Sequence, residues 1–131
     1  MNEEEKLVNN RSVVISLTYG MHSVLLAADM EAEAESMILK MGSNIESDII
    51  KVGHHGSLTS SIPEFVSAVS PDYAVFTAGY NNRFGFPKGE IVKRYIEEGA
   101  AVYRTDLDGT ISFISDGVKL EVSTFRTSPV K

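Results

Sequence analysis

A short apolar run that stops at a glycine-flanked histidine pair constrains this chain most. Residues 48–52 predict a buried strand, and Gly53 ends it directly before His54 and His55. Ligands in α/β proteins bind at the loops that follow the carboxyl ends of such strands. Gly53 and Gly56 let the backbone turn sharply and approach another group closely. The segment therefore predicts imidazoles presented at one edge of a sheet.

The remaining sequence alternates between strand and helix patterns. Apolar runs and period-two alternation predict strands, and apolar residues spaced by three or four predict helices. The predicted strands cover residues 12–19, 24–28, 48–52, 73–77, 101–104, 110–114 and 118–124, and the predicted helices cover 30–41, 61–70 and 88–98. This order predicts an α/β fold, a mixed β-sheet with flanking helices that ends in an antiparallel pair.

The chain is long enough for about one domain, at 131 residues. Its polar, acidic start predicts a loose arm, and its last residues are expected to fray. The predicted units are a flexible arm at 1–11, a folded domain at 12–125 and a tail at 126–131.

Polar residues at the helix patterns carry two local predictions. Glu31, Glu33 and Glu35 are expected on the outer face of the first helix, away from its apolar residues. Ser61, three residues before Glu64, is typical of a capping box at the start of the second helix.

Composition excludes several classes of protein. The formal charge of −6 argues against broad electrostatic binding of nucleic acid, and the absence of cysteine excludes thiolate zinc sites and cysteine nucleophiles. No apolar run approaches the roughly 20 residues of a membrane span, and the start lacks the pattern of a secretory signal. The chain itself is therefore predicted to be soluble, without membrane contact.

The strongest candidates for chemistry are Asp29, His54 and His55. Asp29 follows a strand and precedes a helix, so it is either a helix N-cap or a metal ligand. The histidines are either a hydrogen-bonded loop pair or ligands. Carboxylates and imidazoles commonly bind zinc or manganese, although these three residues alone do not complete a site.

Two further polar clusters follow predicted strands. Asn81, Asn82 and Arg83 suit an anionic oxygen, and a loop held by its own asparagine side chains explains them as well. The hydroxyls of residues 59–61 are either turn and capping groups or neighbours of a metal or phosphate. If the strands ending at residues 28, 52 and 77 are parallel neighbours, Asp29, the histidine pair and Arg83 share one sheet edge.

The combined motifs resemble the metallo-β-lactamase-like domain of the bacterial ComEC/Rec2 DNA-internalisation competence proteins. The resemblance runs from about Ser12 to Ile114. It is carried by six short segments: Asp29-Met30-Glu31, Lys51-Val52-Gly53-His54-His55-Gly56-Ser57, Thr59-Ser60-Ser61, Pro63-Glu64-Phe65, Asn81-Asn82-Arg83-Phe84-Gly85 and Val102-Tyr103-Arg104-Thr105-Asp106.

That resemblance implies an αββα sandwich of two similar halves with a metal site between them. It implies that Asp29 bridges two metals, that His54 is also a metal ligand, and that both residues are catalytic. His55 is the fallback ligand in place of His54. The candidate substrate-binding residues are Asn82, Arg83 and Ser57. For the intact parent protein, the resemblance implies zinc or manganese as the cofactor and DNA as the substrate. It also implies that this parent lies in the bacterial cell membrane.

Two departures from the family pattern modify this expectation. The histidine- and aspartate-rich motif of the opening half is absent, so the chain is expected to correspond to the C-terminal half of the sandwich. Phe86 stands where relatives often carry a histidine. We therefore expect the isolated chain to be inactive and to lack tight metal binding. Its exposed face should pair with the missing N-terminal half or with a second copy.

Three functional hypotheses follow. The first is a portion of a ComEC/Rec2-like metal-dependent hydrolase domain that cleaves DNA phosphodiesters during uptake. The alternative is a catalytically dead metallo-β-lactamase-like binding or interaction module. The third is a stand-alone hydrolase of the same superfamily that acts on another ester.

Overall fold

Five strands form one mixed sheet in the computed structural model, which describes residues 2–126 apart from the side chain of Lys6. In spatial order they are β1 (Ile15–Tyr19), β2 (His22–Leu26), β3 (Ile49–Lys51), β4 (Tyr73–Phe76) and β5 (Ala101–Arg104). β1 is antiparallel to β2, and β2 to β5 are mutually parallel. The predicted mixed sheet is confirmed.

Three helices connect the parallel strands, as the sequence predicted. They are α2 (Ala32–Lys40), α3 (Pro63–Val69) and α4 (Gly89–Glu97). Because the strand order follows the chain order, right-handed crossovers place all three helices on one face of the sheet. The core between helices and sheet includes Leu25, Ile50, Phe65, Phe76 and Tyr95, each at most 2% exposed.

The opposite face of the sheet is only partly covered. The antiparallel pair β6 (Ile111–Ser115) and β7 (Leu120–Thr124) forms a separate sheet. Its Phe113 ring lies 5.4 Å from the ring of Tyr73 on β4. On β1, the alternate residues Ile15, Leu17 and Tyr19 stay 45%, 56% and 62% exposed. The register pairs two of them with Leu26 and Val24 of β2, so an apolar strip of this face remains open.

The segment predicted as a flexible arm contains helix α1 (Glu3–Asn9). A reciprocal capping box explains the helix: the backbone N–H of Glu5 donates to Asn2 Oδ1 at 2.8 Å, and Asn2 N donates to Glu5 Oε2 at 3.0 Å. Asn10 then fixes the arm to α2, because its Oδ1 accepts from the backbone N–H of Glu31 at 3.1 Å.

After β5 the chain forms the short helix α5 (Thr105–Asp108). The domain bounds at 12–125 stay a prediction. Residues 127–131 of the predicted tail lie outside the described residues.

Two of the glutamates predicted to face solvent are buried. Glu31 and Glu35 are 0% and 1% exposed. The Glu35 carboxylate accepts the backbone N–H groups of Ser61 and Ile62, the latter at 2.8 Å, at the start of α3. The capping box predicted for Ser61 and Glu64 is not formed. Glu35 on α2 accepts the N–H groups of Ser61 and Ile62 instead, and the Ser61 hydroxyl lies 3.1 Å from the Tyr95 hydroxyl.

Burial makes Glu35 a source of pH-dependent stability. Desolvation raises its pKa from 4.5 to about 7, against the lowering effect of the two backbone N–H groups. The folded protein therefore holds this proton more tightly than the unfolded chain. The stabilising contribution of the Glu35 carboxyl group is fully present below pH 4.5 and is lost as the pH rises through about 7.

We expect the free energy of unfolding to fall by up to about 3 kcal/mol across that pH window because of Glu35. The measurement is urea unfolding at a series of pH values for wild type and Glu35→Gln. The variant should lose most of this slope. Identical pH profiles of the two proteins would contradict the assignment.

Candidate functional site

The carboxyl ends of β2, β3 and β4 meet at one sheet edge, which confirms that these strands are parallel neighbours. The loops that follow them, together with α1, enclose a groove of about 1290 Å³. Five of the six candidate residues line it: Asp29, His54, His55, Ser57 and Asn82. The exception, Arg83, lies on the exposed part of the same loop as Asn82.

The two histidines occupy a strained backbone between glycines. Residues Gly53–Gly56 form a short 3-10 turn in which His54 and His55 have φ angles of 47° and 55°. Left-handed conformations of such residues persist only where the surrounding structure enforces them, and they cluster at functional sites. Here the backbone N–H of His54 donates to the carbonyl of Ala28 at 2.9 Å. This bond ties the turn to the strand end that carries Asp29.

His55 and Asp29 are brought together at the groove. Nε2 of His55 lies 3.4 Å from Oδ1 of Asp29, and both side chains are a little under half exposed, at 43% and 47%. Nδ1 of His55 lies 2.7 Å from the carbonyl oxygen of Thr77. Because a carbonyl only accepts, Nδ1 carries the proton. Nε2 is thus the ring nitrogen that faces the Asp29 carboxylate, an arrangement that a shared cation would satisfy.

Asp29 is therefore not the cap of α2. The start of that helix is capped by Asn10, whose Oδ1 also accepts from the N–H of Ala34 at 3.3 Å. The predicted convergence of Asp29 with the histidine pair is present, and it involves His55, the residue named as the fallback. The metal and catalytic roles of Asp29, His54 and His55 stay predictions.

His54 faces a buried carboxylate instead. Its Nδ1 lies 3.1 Å from Oε1 of Glu31, and the same oxygen accepts the Thr59 hydroxyl at 2.6 Å. Glu31 is 0% exposed, and its second oxygen has no hydrogen-bond partner among the described residues. A carboxylate at Nδ1 places the proton there and leaves Nε2 of His54 as the free nitrogen. Sequence reasoning missed this role of Glu31.

Removing the Glu31 carboxylate should change the tautomer of His54. In wild type above pH ~8, where free histidine is neutral, the proton of His54 should sit on Nδ1. In Glu31→Ala it should move mainly to Nε2. Histidine ring ¹⁵N NMR of both proteins reads the two states, and His55, held by Thr77, serves as the internal control. An unchanged His54 signal in the variant would contradict the orienting role.

A lysine adds positive charge near Asp29. Lys51 on β3 donates from Nζ to the carbonyl of Ala28 at 3.2 Å. Burial lowers the pKa of Lys51, and the nearby Asp29 carboxylate opposes that change. The strand end thus carries both a carboxylate and a half-buried ammonium group.

The donor types fit a divalent metal, but their number does not. Asp29 offers a carboxylate, and both histidines have Nδ1 held by an acceptor, the usual arrangement of a ligating imidazole. Within residues 2–126, however, no three acidic or histidine side chains form a group that could hold a metal ion. A divalent ion uses about four to six donors. Further donors are needed to complete a site.

The predicted substrate residues differ in their surroundings. Asn82 holds its own loop, since Nδ2 donates to the carbonyl of Phe86 at 2.7 Å and Oδ1 accepts from Phe86 N at 3.0 Å. Ser57 is buried and its hydroxyl lies 2.9 Å from that of Thr59. Arg83 is exposed, with Cζ 4.8 Å from the centre of the Phe84 ring. Their substrate roles remain predictions.

Phe86 forms the wall of the groove beside the histidines. Its ring meets that of His54 edge-on at 5.9 Å and stacks on Phe84 at 5.5 Å. At the position where the family resemblance implied a histidine, this chain therefore has an apolar contact.

The fold is that of an α/β protein whose parallel strands end at a groove lined by an aspartate and two oriented imidazoles, which is the candidate ligand site. No family model matches the chain. It is similar to three curated proteins: 36% identical over 121 residues to ComE operon protein 3 of Bacillus subtilis (strain 168), 38% over 106 residues to Competence protein ComA of Neisseria gonorrhoeae, and 33% over 123 residues to Recombination protein 2 of Haemophilus influenzae.

These matches cover 92%, 80% and 92% of this chain and about 15% of each relative. The chain is therefore a homologue of one segment of the ComEC/Rec2 competence proteins, as its motifs predicted. In the part of the chain that the structure describes, no helix has the length and apolar character needed to cross a bilayer.

Proposed function

We propose that this chain is part of a metal-dependent hydrolase domain that acts on DNA phosphodiesters during uptake. The contact of His55 Nε2 with Asp29 Oδ1 at 3.4 Å carries this proposal. It sets a carboxylate beside the Nε2 atom of an imidazole at the sheet edge, within a groove large enough for a nucleotide. The similarity to competence proteins supports DNA as the substrate.

The residues of this chain have three tasks in that proposal. Asp29 and His55 supply an oxygen and a nitrogen donor to a shared metal. Thr77 and Glu31 hold the Nδ1 protons of His55 and His54, so that each ring offers Nε2. A bound divalent ion supplies the Lewis acidity that phosphodiester hydrolysis needs.

The remaining metal donors come, in this proposal, from a segment outside these residues. The open apolar strip of β1, which includes Leu17 at 56% exposed, suits a second sheet packed face to face. The missing half of an αββα sandwich would cover that strip and bring its own ligands to the edge. In its absence the strip favours self-association.

A nuclease assay on two proteins tests the proposal. One is the complete product of the gene that encodes these residues, and the other is the present chain. With manganese or zinc, the complete product should cleave a labelled DNA oligonucleotide and lose that activity on chelation, whereas the present chain should not cleave. Absence of both cleavage and bound metal in the complete product would end the hydrolase proposal.

A second candidate is a binding or interaction module without catalysis. The edge contact of Phe86 with His54 at 5.9 Å favours it, because a phenyl ring occupies one side of the histidine. The lack of a three-donor group among the described residues points the same way. A complete product that binds DNA or protein partners equally well with chelator present, and cleaves nothing, would select this candidate.

A further inference from the structure

The loop after β4 carries aromatic rings interleaved with cations. Arg83, Phe84 and Phe86 form a continuous stack, with Arg83 Cζ 4.8 Å from the Phe84 ring and the two phenyl rings 5.5 Å apart at 16°. Lys88 Nζ lies 5.6 Å from the Phe86 ring. We call these four residues the aromatic-cation cluster. It extends from the surface to the edge of His54.

The loop holds the aromatic-cation cluster in place before any ligand binds. Asn82 bridges the two ends of the loop, since its Nδ2 donates to the carbonyls of Gly79 and Phe86 at 3.0 and 2.7 Å. Lys88 Nζ donates to the Phe84 carbonyl at 2.8 Å, and Lys88 N donates to the Gly56 carbonyl at 3.0 Å. A preorganised surface loses little conformational entropy on binding.

The Phe84 ring and the positive charges of Arg83 and Lys88 are available to a ligand. Phe84 is 56% exposed, and the neighbouring Tyr80 is 80% exposed. Neither Arg83 nor Lys88 has a carboxylate partner within 4 Å among residues 2–126, although the chain carries a net charge of −6. Unpaired cations beside exposed rings match a ligand that is both planar and anionic.

We propose that the aromatic-cation cluster binds a single strand of nucleic acid. Bases stack on the exposed part of the Phe84 ring, which the existing contact with Phe86 supports, and backbone phosphates contact Arg83 and Lys88. Glu4, Glu5 and Asp29 line the groove itself, so the phosphates lie on the outer rim of the loop. The choice of nucleic acid over another planar anion rests on the proposed function. A duplex is excluded from stacking, because its bases are already paired and stacked.

Fluorescence anisotropy of a labelled single-stranded oligonucleotide, with the 131-residue chain at low salt and without metal, tests this inference. Phe84→Ala should weaken binding about 5- to 150-fold, since one base stacked on an aromatic ring contributes about 1–3 kcal/mol. Arg83→Ala should weaken it less and reduce the salt slope by about 0.7. The same sequence as a duplex should bind at least ~10-fold more weakly than the single strand.

Two matched controls keep the test specific. Phe125→Ala removes an exposed phenyl ring outside the loop, and Lys93→Ala removes a cation on α4; neither should change the affinity. Circular dichroism verifies that each variant is folded. The inference is overturned if wild type binds no single strand, if Phe84→Ala and Arg83→Ala bind as wild type does, or if the controls lose as much.

Binding is measured without cleavage, so the two proposals fail separately. Cleavage by the complete product together with unaltered binding by Phe84→Ala would reject only the aromatic-cation cluster. Loop-dependent binding without any cleavage would reject only the hydrolase.

Discussion

Replacing Gly56 by alanine should destabilise the fold by about 3 kcal/mol or more. Gly56 has a φ of +80°, and a Cβ there would lie 2.7 Å from Cβ of Pro87 and 2.8 Å from the Phe76 ring. Both obstacles are held in place, since Phe76 belongs to the core at 0% exposed. The added methyl group must therefore push apart the histidine turn and the loop after β4.

Urea unfolding of Gly56→Ala measures this loss. Gly89→Ala is the matched control, because nothing lies within 4 Å of a Cβ at Gly89 and the residue opens helix α4. The control should change the free energy of unfolding by less than ~1 kcal/mol, toward higher stability. Equal and small effects at the two glycines would show that the turn is not clamped between Phe76 and Pro87.

The second large effect concerns the proposed chemistry. In the complete gene product, Asp29→Ala should reduce phosphodiester cleavage at least ~1,000-fold, which corresponds to about 4 kcal/mol of barrier. The reason is that the substitution removes the carboxylate oxygen that, in this proposal, binds the same metal as His55 at the sheet edge. The measurement is the rate of oligonucleotide cleavage at saturating manganese or zinc.

Asp72→Ala is the control for that experiment. Asp72 is exposed and precedes β4, so it lies at the opposite edge of the same parallel sheet. Its replacement should leave the cleavage rate within about twofold, as surface substitutions away from a site usually do. If Asp29→Ala cleaved as fast as Asp72→Ala, the carboxylate at position 29 would have no part in the reaction.

Local patterns were sufficient to predict the sheet and its edge. The strands at 48–52 and 73–77 have apolar runs that end at glycine or at a polar loop, and the intervening helices have clear periodicity. Parallel pairing then brings Asp29 and the histidines together by topology alone. That step needs no knowledge of side-chain geometry.

Contacts between distant residues could not be predicted in this way. Glu31 and Glu35 fit the polar face of α2 by spacing, and they are buried because they bind groups 26 to 28 positions later in the chain. Asn10 likewise caps a helix that begins 22 residues further on. The sequence offered one signal for the role of Glu31, its position two residues after Asp29.

The choice between His54 and His55 also depends on conformation. Adjacent side chains on an extended backbone point in opposite directions, but these two have left-handed φ angles. The turn sends His55 toward Asp29 and Thr77, and His54 toward Glu31 and Thr59. Sequence spacing carries no information about that division.

Metal affinity across a double-mutant cycle of Asp29 and His55 tests the central proposal most directly. Manganese binding by the complete gene product is measured for wild type, Asp29→Ala, His55→Ala and the double variant. If both side chains hold one ion, each single variant should lose most of the affinity and the double variant little more. Additive losses, or no loss in either single variant, would show that the two residues do not share a metal.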